Sequence, residues 1–183
     1  MPAIQIAAPL NFMEPKELAE HWQKLIAARA HLPIPAQSDF HHNPAGDAEL
    51  AWRIFGGLSL EEAYEEFLED PMMRQEDFMW MYPNAFGYYC PVVDRYLRTA
   101  DIHDAEKRQE EDCEAWILGR VIEHQFHWED GSRPPDYVVR EIRSLSRFVH
   151  GHLSHYSEDP AERNRIDDSW RRLDETLSLQ SVS

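Results

Sequence analysis

The chain has 183 residues, 34 of them acidic and 18 basic, for a net charge of −16. That length suits one domain with a single buried core, and an apolar fraction of 43% excludes a disordered chain. The acidic excess argues against a nucleic-acid partner, because phosphate contacts are made by Lys and Arg; it would steer the chain toward a basic protein.

Residues 1–14 read as an N-terminal extension. "MPAIQIAAPLNF" has no Lys or Arg ahead of its apolar residues, and Pro2, Gln5 and Pro9 interrupt them. It does not have the form of a signal peptide. No stretch approaches the roughly 18 unbroken apolar residues of a membrane span. A cytoplasmic protein without membrane contact is expected. Cys90 and Cys113 make no disulfide framework, so two reduced, buried thiols are expected.

Helical periodicity dominates the rest. It predicts an all-α, single-domain, irregular bundle of about seven helices over residues 15–179, the three longest in its C-terminal half, with 180–183 as a tail. The first helix begins at Pro15, a favoured first helical residue, and runs to about Ala30 with Leu18, Trp22, Leu25 and Ile26 inward. "HLPIPAQSDFHHNPAG" is a loop by its prolines and terminal glycine. A short helix from Asp47 to Phe55 stops at Gly56 and Gly57. Ser59 and Glu62 then form a capping box. The helix they open places Leu60, Ala63, Tyr64, Phe67 and Leu68 on one face. Asp70-Pro71 ends it, and "MMRQEDFMWM" predicts one more short helix.

"NAFGYYCPVV", residues 84–93, packs aromatic rings, a thiol and a proline into ten positions. Phe86, Tyr89, Cys90, Val93 and Leu97 share one helical face. Pro91 cannot donate a backbone hydrogen bond, and its ring presses on the carbonyl of Gly87, four residues earlier. The stretch reads as kinked core rather than as a reactive site. A helix from about Ala105 to Trp128 follows, then "EDGSRPP" as a turn, a helix from about Asp136 to Tyr156 and a last one from Pro160. In these, Trp116, Ile122, Ile142, Leu153, Ile166 and Trp170 are among the expected core residues, and "SLQSVS" should fray.

Candidate chemistry is sparse. There is no G-x-S-x-G elbow, P-loop or G-x-G-x-x-G. We assign no catalytic residue, no metal ligand and no cofactor. Ten histidines raise a metal-dependent enzyme as the alternative, with His124 and His127 facing His150, His152 and His155 across two antiparallel helices. The stronger signal is an acidic ridge of Glu61, Glu62, Glu65, Glu66, Glu69 and Asp70 behind the Tyr64–Phe67 stripe. Residues 47–77 hold ten acids and two bases, and residues 101–114 seven and two, whereas 133–172 are nearly balanced. Like charges four apart each cost roughly 0.2–0.5 kcal/mol. Helix stability therefore gives no reason for the ridge; a solvated face kept for solubility and a docking surface for a cationic partner are the two readings.

The run from Phe55 to Leu97 resembles a segment of small uncharacterised bacterial proteins. In these an "EEA…F" helix precedes a Phe-x-Tyr-Tyr-x-Pro element, here Phe86, Tyr88, Tyr89 and Pro91. The resemblance covers about a quarter of the chain. Together with size and acidity it implies an immunity-type protein that binds and neutralises a basic toxin; an adaptor or regulatory helical module is the other non-enzymatic reading. No oligomeric state is implied.

Overall fold

The computed structural model describes residues 13–41, 46–100 and 114–180. Among them it is all-α, with eight helices: α1 (Pro15–Arg29), α2 (Asp47–Phe55), α3 (Leu60–Glu69), α4 (Pro71–Arg74), α5 (Pro83–Thr99), α6 (Ala115–His124), α7 (Asp136–Gly151) and α8 (Pro160–Gln180). The one strand-like contact is an isolated bridge between Phe40 and Met81. No described helix is long and apolar enough to cross a membrane.

Local signals account for most boundaries. Pro15 and Pro160 start α1 and α8. The hydroxyl of Ser59 accepts the Glu62 N–H at 3.3 Å while the Glu62 carboxylate accepts the Ser59 N–H at 2.8 Å, so the predicted capping box opens α3. Four expectations need correction. "MMRQEDFMWM" divides into the end of α4 and a 3₁₀ turn, Asp77–Trp80. The helix at Asp136 stops at Gly151, where His152 leaves helical angles and its imidazole N–H donates to the Phe148 carbonyl at 2.6 Å. Leu153 then sits half-buried in a separate 3₁₀ turn. The helix predicted over 105–128 is described as Ala115–His124, with Glu114 extended ahead of it. Its stretch 105–113, with Cys113, lies outside the described residues, as do 181–183. The end falls short of Trp128 because Gln125 and Phe126 bond three residues back and the Gln125 amide donates to the Phe78 carbonyl at 2.8 Å. α5, with 17 residues, is second in length only to α8 among the described helices, so the longest are not all C-terminal.

One hydrophobic core joins α1, α3, α5, α6, α7 and α8. α5 is its axis and packs against α1, α3 and α7. Phe86, Tyr89, Cys90, Val93 and Leu97 are all buried, as the periodicity requires. The Tyr89 hydroxyl donates toward the carbonyls of Phe55 (2.6 Å) and Leu58 (3.1 Å), closing the end of α2. Burial pushes the Cys90 thiol well above its ordinary pKa. These groups are structural. On the far side, α8 lies against α6 at Gly119, where a methyl group would come within 2.7 Å of the Ser169 hydroxyl.

α5 runs through Pro91 as one helix, and the carbonyl that Pro91 leaves without a donor is taken from outside it. The Arg29 Nε–H donates to Gly87 O at 2.9 Å. The same guanidinium donates to Leu25 O on α1 and meets Glu141 of α7 through both terminal nitrogens, at 3.1 and 2.5 Å. Arg29 is 2% exposed. A methionine of similar reach in its place would orphan the Gly87 carbonyl and leave Glu141 unpaired. Arg29→Met should lower stability by about 3–5 kcal/mol in urea titration, and Glu141→Gln, which leaves the buried guanidinium without a counter-charge, by a comparable amount.

Candidate functional site

The acidic ridge stands on α3, whose apolar face is locked into the core: Leu60, Ala63, Tyr64 and Phe67 are buried. Behind them Glu61, Glu62, Glu65 and Glu69 are exposed, and Glu66 and Asp70 are half-buried. The structure divides these six by role. Glu62 serves the capping box, and the Ser59 N–H and hydroxyl it accepts hold its carboxyl below the usual range. Asp70 accepts the Met73 N–H at 3.1 Å and caps α4. Glu66 pairs with Arg74 at 3.3 Å. Among the described residues Glu61, Glu65 and Glu69 have no ion pair, and no ridge carboxylate reaches an arginine of α7 or α8.

Glu61 and Glu65 also line a cleft of about 650 Å³ between α1 and α3, with Leu18, Trp22, Tyr64 and Leu68 as apolar walls. Arg95 of α5 lies against this cleft, its guanidinium 4.6 Å from the Trp22 ring centre and 4.1 Å from that of Tyr64. Such stacking fixes a cation in place on the aromatic quadrupoles. The ridge is therefore one wall of a concavity.

The predicted group of five histidines does not assemble. Both ring nitrogens of His150 are taken by carboxylates of α8, Asp167 at 2.6 Å and Asp174 at 3.1 Å. His152 stacks on Phe148 and lies 5.6 Å from His155, ring centre to ring centre. Among the described residues, no three His, Cys, Asp or Glu side chains converge closely enough to hold a metal ion.

His124 and His127 meet a different histidine instead. The bridge at Phe40 pins the loop after α1 across the segment before α5, with His41 N–H donating to Trp80 O at 2.6 Å and Tyr82 N–H to Asp39 O at 2.8 Å. This carries His41 into a cleft of about 480 Å³ shared with Trp80, Tyr82, His124, His127 and Trp128. The His41 ring is stacked with Trp80 at 6.2 Å, lies 5.3 Å from Trp128 and meets the Tyr82 ring edge-on. Its Nδ1 is 3.1 Å from the Tyr82 hydroxyl. His124 lies edge-on to Trp128 on the other side, its Nδ1 buried without a partner. Burial first, then His127 and His41, lower its pKa. Two adjoining hollows share these walls, one through His41 and Tyr82 toward Trp52, the other through His124 and His127 toward Trp116. Four of the six tryptophans thus border one trough. His41 was hidden to sequence reasoning inside a proline-rich loop; the only signal was the apolar Phe40 beside it, which anchors the crossing.

Comparison of the chain with family models, with curated proteins and with solved structures yields no match.

Asp77, in the 3₁₀ turn between the ridge and the trough, is buried, with Oδ2 unpartnered. Burial raises its pKa to about 7, Arg74 opposing and Asp47 and Glu76 adding to the shift. The fold thus holds a proton that the unfolded chain releases near pH 4. Its contribution to stability is complete below that pH and is lost as pH rises through about 7. Asp77→Asn should stabilise the protein, by about 1–3 kcal/mol in alkaline buffer. Urea midpoints should show this gain growing between about pH 4 and pH 7 and levelling off above.

Proposed function

We propose that the protein is a non-catalytic binding protein whose acidic α3 face holds a basic protein partner, in the manner of an immunity protein that inhibits a toxin. The observation that supports this is the division of labour among the ridge carboxylates. Capping and one ion pair use Glu62, Glu66 and Asp70, whereas Glu61, Glu65 and Glu69 point out from a helix anchored by four buried side chains. Glu61 and Glu65 repel each other at four-residue spacing, as do Glu65 and Glu69. A partner's Lys or Arg side chains would relieve that repulsion, and the cleft beside Glu61 and Glu65 offers apolar surface for the core of an interface.

The test replaces the three unpaired glutamates. Glu61→Gln, Glu65→Gln and Glu69→Gln together remove three charges without touching a cap. Thermal stability should hold or rise slightly. Association with the basic protein captured from the native host should slow about ten-fold or more at low salt, with a flatter salt dependence, because steering acts on the on-rate. An unchanged on-rate in stopped-flow would remove the ridge from the interface. A partner that is not a toxin would instead favour the adaptor reading.

A further inference from the structure

The trough shares no lining residue with the cleft beside α3 and carries chemistry that the α3 face does not use. We propose that the cleft walled by His41, Trp80, Tyr82 and Trp128, and rimmed by Glu129 and Asp130, binds an organic ammonium cation.

Aromatic rings attract cations to their faces, most strongly for tryptophan. Elsewhere this protein uses that attraction internally. Arg95 lies over Trp22, and Arg165 lies 3.4 Å from the ring centre of Trp116. Among the described residues no Lys or Arg lies over Trp80, Tyr82 or Trp128, although all three are half-exposed and border the same space. The rings are held rather than loose. Tyr82 and Trp128 stand 5.2 Å apart, and the Trp128 indole N–H donates to Gln125 Oε1 at 3.2 Å. Gln125 is itself fastened to Phe78 O. Tyr82 is fixed by its backbone bond to Asp39 and by His41.

Charge selects the class of ligand. Glu129 and Asp130 line the cleft and are exposed. Asp130 is kept ionised by the Ser132 hydroxyl and N–H, at 2.6 and 2.9 Å. Among the described residues no Lys or Arg lines this cleft, so an anion would meet two carboxylates and no ammonium or guanidinium. Burial disfavours the charged form of His124, which removes one competing positive charge beside Trp128. A metal ion is poorly served among the described residues, where no three ligating side chains converge. The volume of about 480 Å³ accommodates a trimethylammonium head with its chain, or the end of a lysine side chain. An ammonium group is the chemistry common to both. The site does not depend on the α3 reading.

Three probes decide it, each titrated into the full chain at about pH 8 and followed by the indole N–H resonances of Trp80 and Trp128. Choline should shift both and bind at least roughly ten-fold more tightly than 3,3-dimethylbutan-1-ol, its uncharged isostere. N-acetyl-lysine methylamide separates the sources. If it binds more tightly than choline the natural ligand is a side chain of a basic partner, and if more weakly, a free amine. Trp128→Leu should abolish the difference between choline and its isostere. Should that variant fold poorly, Glu129→Gln with Asp130→Asn changes only exposed side chains and should weaken choline about three-fold or more. The α3 variant with Glu61, Glu65 and Glu69 replaced should bind choline as before. Equal binding of choline and 3,3-dimethylbutan-1-ol would make the cleft merely apolar, and no indole shift with any probe would overturn the proposal outright.

Discussion

A proline in the middle of a buried helix leaves one carbonyl with no donor, and in this protein the architecture is arranged around that carbonyl. A buried, unpaired C=O costs about 1–3 kcal/mol. Arg29 supplies the donor from α1. A guanidinium cannot be buried uncompensated either. It is neutralised by Glu141 of α7 and spends a further N–H on Leu25 O of its own helix. α1 and α7 are thereby fixed to α5 and to each other by directed bonds rather than by apolar contact alone. Gly87 is part of the same solution. A methyl group there would press on Val138 at 3.3 Å, so the residue opposite Pro91 must be small for α7 to approach.

A second buried ionic cluster stands one turn beyond the proline. Asp94 accepts from Arg98 Nε at 2.9 Å and from His21 at 2.6 Å, and Arg98 also lies over the Phe148 ring. The contacts again run from α5 to α1 and α7. Directed bonds of this kind add little net stability compared with an apolar core, but they specify which helix face lies where. That specificity reaches the surface. With α1 and α3 both seated on α5, the cleft between them has Arg95 and Thr99 as its floor and the free glutamates of α3 at its edge.

Elements governed by neighbours in sequence were legible from sequence. The α3 capping box, the Asp47–Phe55 helix and the buried face of α5 follow from spacing of a few residues, and each lies where periodicity puts it. Elements governed by distant partners were not. Arg29 continues the inward face of Trp22, Leu25 and Ile26, but it is a charged residue there, and only Pro91, 62 residues later, explains its burial. The end of α7 depends on the His152 imidazole turning back to Phe148. The histidines show the limit most clearly. Three-residue spacing placed His124 and His127 near each other, but their companion came from the loop at His41 and not from the neighbouring helix. The division of the ridge into capping, paired and free carboxylates was half-visible: Ser59 and Pro71 mark the two caps, whereas the Arg74–Glu66 pair requires the turn at Asp70.

The placement of charge follows from the same reasoning. The buried arginines, Arg29 and Arg98, each face a carboxylate. Asp77 is the exception among buried acids, and it avoids the cost of an unpaired charge by keeping its proton up to about pH 7. Among the described residues the interior is thus close to neutral, and the acidic excess falls on the outer faces. There it is not spread evenly. Residues 133–172 nearly balance, and acids within and just beyond that range answer local bases: Asp168 and Glu175 flank Arg171, and Glu162 faces Arg165. On α3 the free glutamates have no such counterpart among the described residues. Solubility alone would be served by charge anywhere on the surface. Repulsion concentrated on one rigid helix beside a cleft is the arrangement that an incoming positive surface can turn into attraction.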